Sequence, residues 1–195
     1  MRLAPDVAGT GQYTGAMSSP AEVETARQSA LKHFRWIDGQ ADTWSMLGEP
    51  ESLRAVVRGL AHLAAQQQPD LVVGIESRGF VLAPAVALDL GVGFCPIRKS
   101  GSLFPGDVAG QLTEPDYRGN RTMLLARKDQ FTRGQRVVLV DDWIQTGSQA
   151  GAAAKLISSC GAEVVGVIVI VDEASREARL RLPPVRALLS AAELP

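Results

Sequence analysis

Aromatic residues are scarce in this chain. Phe, Trp and Tyr together make up 5% of it, so the core must be filled mainly by aliphatic side chains. Cysteine is scarcer still: the two present, Cys95 and Cys160, stand far apart and match no metal or redox spacing. Both sit beside apolar residues and read as buried free thiols in a reducing compartment. No uninterrupted apolar run reaches the roughly 18 to 20 residues that span a bilayer. No signal-peptide core stands near the N-terminus either, so the expected location is the cytoplasm. An excess of one charge is also missing. With 20 basic and 21 acidic residues the net charge is −1, and no bulk field draws the chain to nucleic acid or to an anionic membrane. A Walker-type Gly-rich lysine motif is absent. The GVGF stretch at 91–94 precedes a strand instead of following one, which removes it as a dinucleotide fingerprint. No internal repeat is visible.

What is present fits one good core: 195 residues, 46% of them apolar. Residues 1–19, rich in Gly, Ser and Thr, read as a flexible N-terminal tail, leaving 20–195 as the folded domain. A helix starts at Pro20 and runs to about 34–36, where IDGQAD breaks it. A second helix fits 51–67, opened by Pro50 and carrying Leu53, Val56, Val57, Leu60 and Leu63 at helical spacing. Buried strands are predicted at 71–75, 92–99, 123–126, 137–140 and 164–171, with helices at 80–90 and 147–160. Pro84 is tolerable in a first helical turn. SREARLRL, 175–182, reads as a solvated helical face. Residues 100–120, punctuated by Pro105, Pro115 and four glycines, read as a long mobile loop, and structureless loops of that length are usually functional. Strands alternating with helices imply an α/β fold with a mostly parallel central sheet flanked by helices.

Ligands of such sheets bind at the carboxyl ends of the strands. Three polar clusters fall there: Glu76-Ser77-Arg78-Gly79, Arg98-Lys99-Ser100-Gly101, and Asp141-Asp142 followed by Thr146-Gly147-Ser148. A helix N-terminus offers unpaired N–H groups and about half a positive charge, enough to hold a phosphate monoester. The preceding aspartates can accept hydrogen bonds from a vicinal diol or hold Mg²⁺ directly or through water. A sugar with a phosphate on one arm and a diol on its ring satisfies both halves.

VVLVDDWIQTGSQ, at 137–149, resembles the phosphoribosyl-pyrophosphate (PRPP) motif of the type I phosphoribosyltransferases. VVGIESRGFVLAPAVALDLGVGFCPIRKSGSLFPG resembles the stretch that marks their adenine branch, and PDYRG with RGQRVVLVDD continues the likeness, over about residues 50 to 171. The resemblance implies a type I phosphoribosyltransferase-like fold with a small hood, from about 33–48 and the C-terminal segment, and a long flexible loop. It implies that Asp141 and Asp142 bind the ribose hydroxyls and, through water or substrate, Mg²⁺. Gln145, Thr146, Gly147, Ser148 and Gln149 would wrap the 5′-phosphate. Ser77 and Arg78 would form a pyrophosphate loop, often with a non-proline cis peptide in this family, and Arg98 and Lys99 would cover the pyrophosphate. Asp116, beside Tyr117, matches a loop acid that stabilises or protonates the leaving side, with Arg78 and Lys99 as its catalytic partners. The implied substrates are PRPP and a purine base, adenine first, and the implied assembly is a homodimer, with no nucleic acid and no membrane.

The base side departs from that pattern. The hood segment HFRWIDGQADTWSML lacks proline, and Trp143-Ile144 stand where smaller aliphatics are common. Gln145 occupies a place where some purine relatives carry an acid. Trp143, Ile144 and Trp36 are the candidate base contacts, with Trp143 equally readable as ordinary packing. Three function classes follow: a purine phosphoribosyltransferase (or one for another nucleobase), a PRPP-binding regulator without efficient catalysis, and an interaction module using the fold alone. The intact phosphate and carboxylate clusters weigh against the last.

Overall fold

The structure, a computed structural model, describes residues 20–101, 104–116 and 118–195. The predicted tail at 1–19 lies outside the described residues, as do Ser102, Leu103 and Tyr117. Among the described residues nine strands and six α-helices follow in the order α1 (Pro20–His33), β1 (Arg35–Ile37), β2 (Gln40–Asp42), α2 (Trp44–Gly48), α3 (Pro50–Ala65), β3 (Leu71–Ile75), α4 (Gly79–Leu90), β4 (Gly93–Lys99), β5 (Val108–Leu112), β6 (Met123–Arg127), β7 (Arg136–Ile144), α5 (Ser148–Ser159), β8 (Glu163–Asp172), α6 (Arg176–Arg179) and β9 (Val185–Ser190). Seven strands form one sheet in the order β5-β6-β4-β3-β7-β8-β9. β4, β3, β7, β8 and β9 are parallel, while β6 and β5 complete the edge antiparallel.

Alternation along the central strands sorts the core into two layers. Val72, Val138, Val140, Ile168 and Ile170 face α1, α3 and α4, packing with Ala26, Val56, Leu60, Leu82 and Val86. Val73, Val137, Leu139, Val167 and Val169 face the opposite way, onto Ala153, Leu156 and Ile157 of α5. With α4 on one face and α5 on the other, the chain changes sides between β3 and β7. That crevice is where an open parallel sheet binds its ligands.

The 100–120 segment is the main correction to the sequence reading. It is not loop throughout, because Val108–Leu112 pairs with Met123–Arg127 along its whole length. Its VAGQL sequence carries a mixed burial pattern, as an edge strand does. The β1–β2 hairpin, which turns at Asp38 and Gly39, both at positive φ, the short α2 and β9 were likewise not anticipated. Pro84 sits in the second turn of α4 and not the first, and the solvated helix over 175–182 contracts to α6. Cys95 is buried and Cys160 partly exposed, both as free thiols; burial pushes the Cys95 thiol up to about 12.

Two glycines set how closely α4 approaches the sheet. A Cβ on Gly74 would lie 2.5 Å from the carbonyl oxygen of Gly79 and 2.8 Å from the Ala83 Cβ, and one on Gly79 would lie 3.1 Å from the Val140 carbonyl oxygen. Gly74→Ala is therefore expected to destabilise the protein by about 1 to 3 kcal/mol, the usual scale of overpacking. At roughly 2 to 4 °C per kcal/mol for a chain of this size, thermal unfolding should read the loss directly.

Candidate active site

β3 pairs with β7 only as far as Gly74 and Val140, whereas β7 stays paired with β8 out to Ile144. The end of β7 thus projects past β3, and the loop 76–78 borders it. Asp141 and Asp142 consequently lie within the strand, not beyond its end as the sequence suggested. Together these segments line a cavity of about 320 Å³, which gathers Ser77, Arg78, Lys99, Asp116, Asp141, Asp142 and the turn 143–149. The peptide bond between Glu76 and Ser77 is cis.

The two aspartates have different surroundings. Asp142 is buried; its Oδ2 accepts from the Thr43 hydroxyl at 2.8 Å and pairs with Arg78 Nη1 at 2.8 Å. Asp141 Oδ1 accepts from the backbone N–H of Asp142 at 2.9 Å, but no cation is paired with it among the described residues. Burial first, and then the neighbouring Asp142 charge, push the Asp141 carboxyl up to about 8, although part of the residue still faces the cavity. Asp142 is thus given a cation and a hydroxyl donor, whereas Asp141 carries the penalty of burial beside a like charge.

The turn after β7 is built for close approach. Gly147 adopts φ +71°, a conformation that L side chains rarely take, and immediately precedes α5, whose first residues, Ser148, Gln149 and Ala150, line the cavity. Thr146 Oγ1 donates to Ser148 Oγ at 3.1 Å and accepts from the Ser148 N–H at 3.3 Å. Across the cavity Lys99 contributes to the lining, but Arg98 does not. The Arg98 guanidinium turns to Glu76, with Nε 3.4 Å from Oε2, and the Lys99 N–H donates to the same oxygen at 3.0 Å.

Asp116 reaches the cavity from the β5–β6 connection. Its Oδ1 accepts from the N–H groups of Asn120 and Arg118, each at 2.8 Å, and these bonds, the Asn120 one foremost, hold its carboxyl below the usual carboxylate range. At neutral pH it is an ionised acceptor and not a proton donor.

Trp143 and Ile144 line the cavity; Trp36 does not. Trp143 Nε1 donates to Glu173 Oε2 at 2.8 Å, and its ring lies 6.4 Å from Phe34 at 29° and 6.4 Å from Trp36 at 71°. Trp36, half exposed, donates Nε1 to the Pro195 carbonyl at 2.9 Å. The sequence reading missed Thr43, Glu76 and Glu173 as supporting residues. Only Glu76 carried a signal, as the first residue of the ESRG cluster. Among the described residues no group of three or more Asp, Glu, His or Cys could hold a metal by itself. Two adjacent carboxylates suit Mg²⁺, which keeps water and substrate oxygens as its other ligands.

The Phosphoribosyl transferase domain family matches residues 43–190. The chain is 40% identical over 141 residues to the adenine phosphoribosyltransferase of Desulfitobacterium hafniense, covering 72% of this chain and 80% of that protein. It is 41% identical over 153 residues to the Brucella suis protein of the same name, covering 76% and 83% respectively. Adenine phosphoribosyltransferase from Rhodothermus marinus matches in structure with a TM-score of 0.75 at 32% identity, over 86% of this chain and 99% of that one. The Saccharomyces cerevisiae enzyme, solved with adenine and an imino-altritol bisphosphate, matches with a TM-score of 0.73 at 27% identity, over 85% and 99%.

A carboxyl whose folded pKa lies above its unfolded value favours folding while protonated and loses that contribution as pH rises through the folded pKa. Asp141, raised from 3.8 to about 8, therefore weakens the protein progressively across that window. Without ligand or Mg²⁺, Asp141→Asn is expected to raise the melting temperature at pH 8 and to raise it less at pH 5. Melting curves at the two pH values check both the sign and the trend.

Proposed function

The chain belongs to the Phosphoribosyl transferase domain family, and we propose that it transfers the 5-phosphoribosyl group of PRPP to a purine nitrogen, adenine first, releasing pyrophosphate in nucleotide salvage. One observation carries this reading: cationic, diol-accepting and phosphate-cupping groups from three separate segments line a single cavity. Its adenine part is supported by the relatives and structural neighbours, which are adenine phosphoribosyltransferases.

In this reading the backbone N–H groups at the start of α5, with Thr146 and Ser148, hold the 5′-phosphate. Asp141 and Asp142 accept from the ribose hydroxyls and, with water, hold Mg²⁺. Mg²⁺, when bound, supplies positive charge that stabilises the departing diphosphate. Arg78 and Lys99 add to that stabilisation from the protein side, where charge develops in the transition state. Ser77 belongs to the same pyrophosphate loop, and Arg98 supports it through Glu76. Breaking the C1′–oxygen bond builds positive charge on the ribosyl carbon, as in glycoside transfer. The purine nitrogen attacks that carbon from the opposite face. Ionised Asp116 serves by accepting a hydrogen bond or by charge stabilisation, and the connection that carries it helps exclude water.

The 33–48 segment and the C-terminal residues form the hood in this proposal, with Trp143 and Ile144 as the base wall and Trp36 buttressing Trp143. An aromatic platform of this kind contributes about 1 to 3 kcal/mol in base stacking. A different nucleobase is the second reading, favoured by Trp143 and the proline-free 33–48 segment. Homodimerisation and a cytoplasmic location accompany the family assignment; among the described residues no helix is long and apolar enough to cross a membrane.

Steady-state turnover with PRPP, Mg²⁺ and each of adenine, guanine, hypoxanthine, xanthine and uracil tests the base. Adenine is expected to lead, and turnover confined to another base would reject it. Asp141→Asn and Asp142→Asn are each expected to cut PRPP affinity or turnover at least ~10-fold, the scale of one lost charge-assisted contact. Unchanged kinetics in both would remove the pair from this role.

A further inference from the structure

Thr43 is 1% exposed and belongs to no strand or helix, yet its position is fixed from both sides. Before it, Asp42 Oδ1 accepts from the N–H groups of Trp44 and Ser45 at 2.9 and 3.1 Å, tying the chain to the start of α2. After it, Met46 is fully buried in the core. The β-branched side chain has few rotamers of its own, and its hydroxyl donates to Asp142 Oδ2 at 2.8 Å across 99 residues of sequence. Arg78 reaches the same oxygen at 2.8 Å.

We propose that Thr43 is a positioning residue for PRPP binding: its hydroxyl fixes Oδ2 of Asp142 and with it the orientation in which the carboxylate meets both Arg78 and the ribose. The inference rests on the phosphoribosyl reading above. A guanidinium prefers to meet a carboxylate with two parallel hydrogen bonds. Were Asp142 free to turn, its carboxylate could follow Arg78 instead of staying aimed at the ribose, and the guanidinium would be held away from the pyrophosphate. A neutral donor on Oδ2 opposes that rotation without adding charge. Thr43 thereby links the 33–48 segment to the sugar end of the site.

The test compares wild type with Thr43→Val and Thr43→Ser by calorimetric titration with PRPP and Mg²⁺ and by steady-state kinetics, with melting curves to establish folding. The valine variant is expected to weaken PRPP binding about 10-fold, the consequence of one lost hydrogen bond to a charged group, mainly in KM for PRPP with a smaller change in kcat. The serine variant should return to within about threefold of wild type, because the donor is restored. On an Asp142→Asn background the valine change should add little, since residues in contact couple. If the valine variant does not fold, Thr43→Ala supplies the same comparison. Wild-type affinity in the valine or alanine variant, or equal losses in the serine and valine variants, would overturn the role of Thr43 alone. Failure of the wild type to bind PRPP removes the phosphoribosyl reading and this role with it.

Discussion

Two carboxylates on consecutive residues of a buried strand repel each other and resist desolvation, and the architecture of this corner follows from keeping both. Their surroundings divide the cost unequally. Asp142 is given a cation and a hydroxyl from segments far away in sequence, while Asp141 is left with a backbone N–H and a raised proton affinity. An arrangement of this kind is unfavourable to stability when the protein stands alone and favourable to a ligand that brings hydroxyl donors and a cation with it. The helix start at Ser148 adds the complementary charge at the other end of the same cavity. The cavity thus carries carboxylates at one end and a helix start at the other, the pairing that the proposed sugar phosphate calls for.

Much of the scaffold is legible in the sequence because the central strands are buried on both faces. Continuous runs such as LVVGI and EVVGVIVIVD leave little alternative to interior parallel strands. The elements that escaped are short or edge-like. α2 has five residues, too few for a helical period to register, and β5 includes a glycine and a glutamine whose pairing depends on a partner beyond the intervening turn. At the site, the sequence announced a pair of cations at 98 and 99 but could not say which one lines the cavity. Neighbours along a strand point to opposite faces, and it is Lys99, not Arg98, that lines the cavity. Thr43 left no local trace, since its only meaning lies in a contact with a residue 99 positions away.

The aromatic cluster shows how a chain poor in aromatics uses the few it has. Phe34 and Trp36 meet edge to face at 5.2 Å, and both rings abut Trp143. The two indole N–H groups are each bonded, to Glu173 and to the Pro195 carbonyl, so neither ring turns without breaking a hydrogen bond. This cluster joins α1's end, the β1–β2 hairpin and β7 into one rigid wall beside the cavity.

The glycine contact under the 76–78 loop has a consequence for anyone reshaping this enzyme. Gly74 and Gly79 meet backbone to backbone, with no room for a methyl group at Gly74 and only a tight fit for one at Gly79, 3.1 Å from the Val140 carbonyl oxygen. Ser77 and Arg78 between them are exposed and open to redesign for a different leaving group. The path on which they ride is less so, because Gly74, just outside the ESRG stretch, admits no side chain, and any side chain at Gly79 must push the Val140 backbone aside.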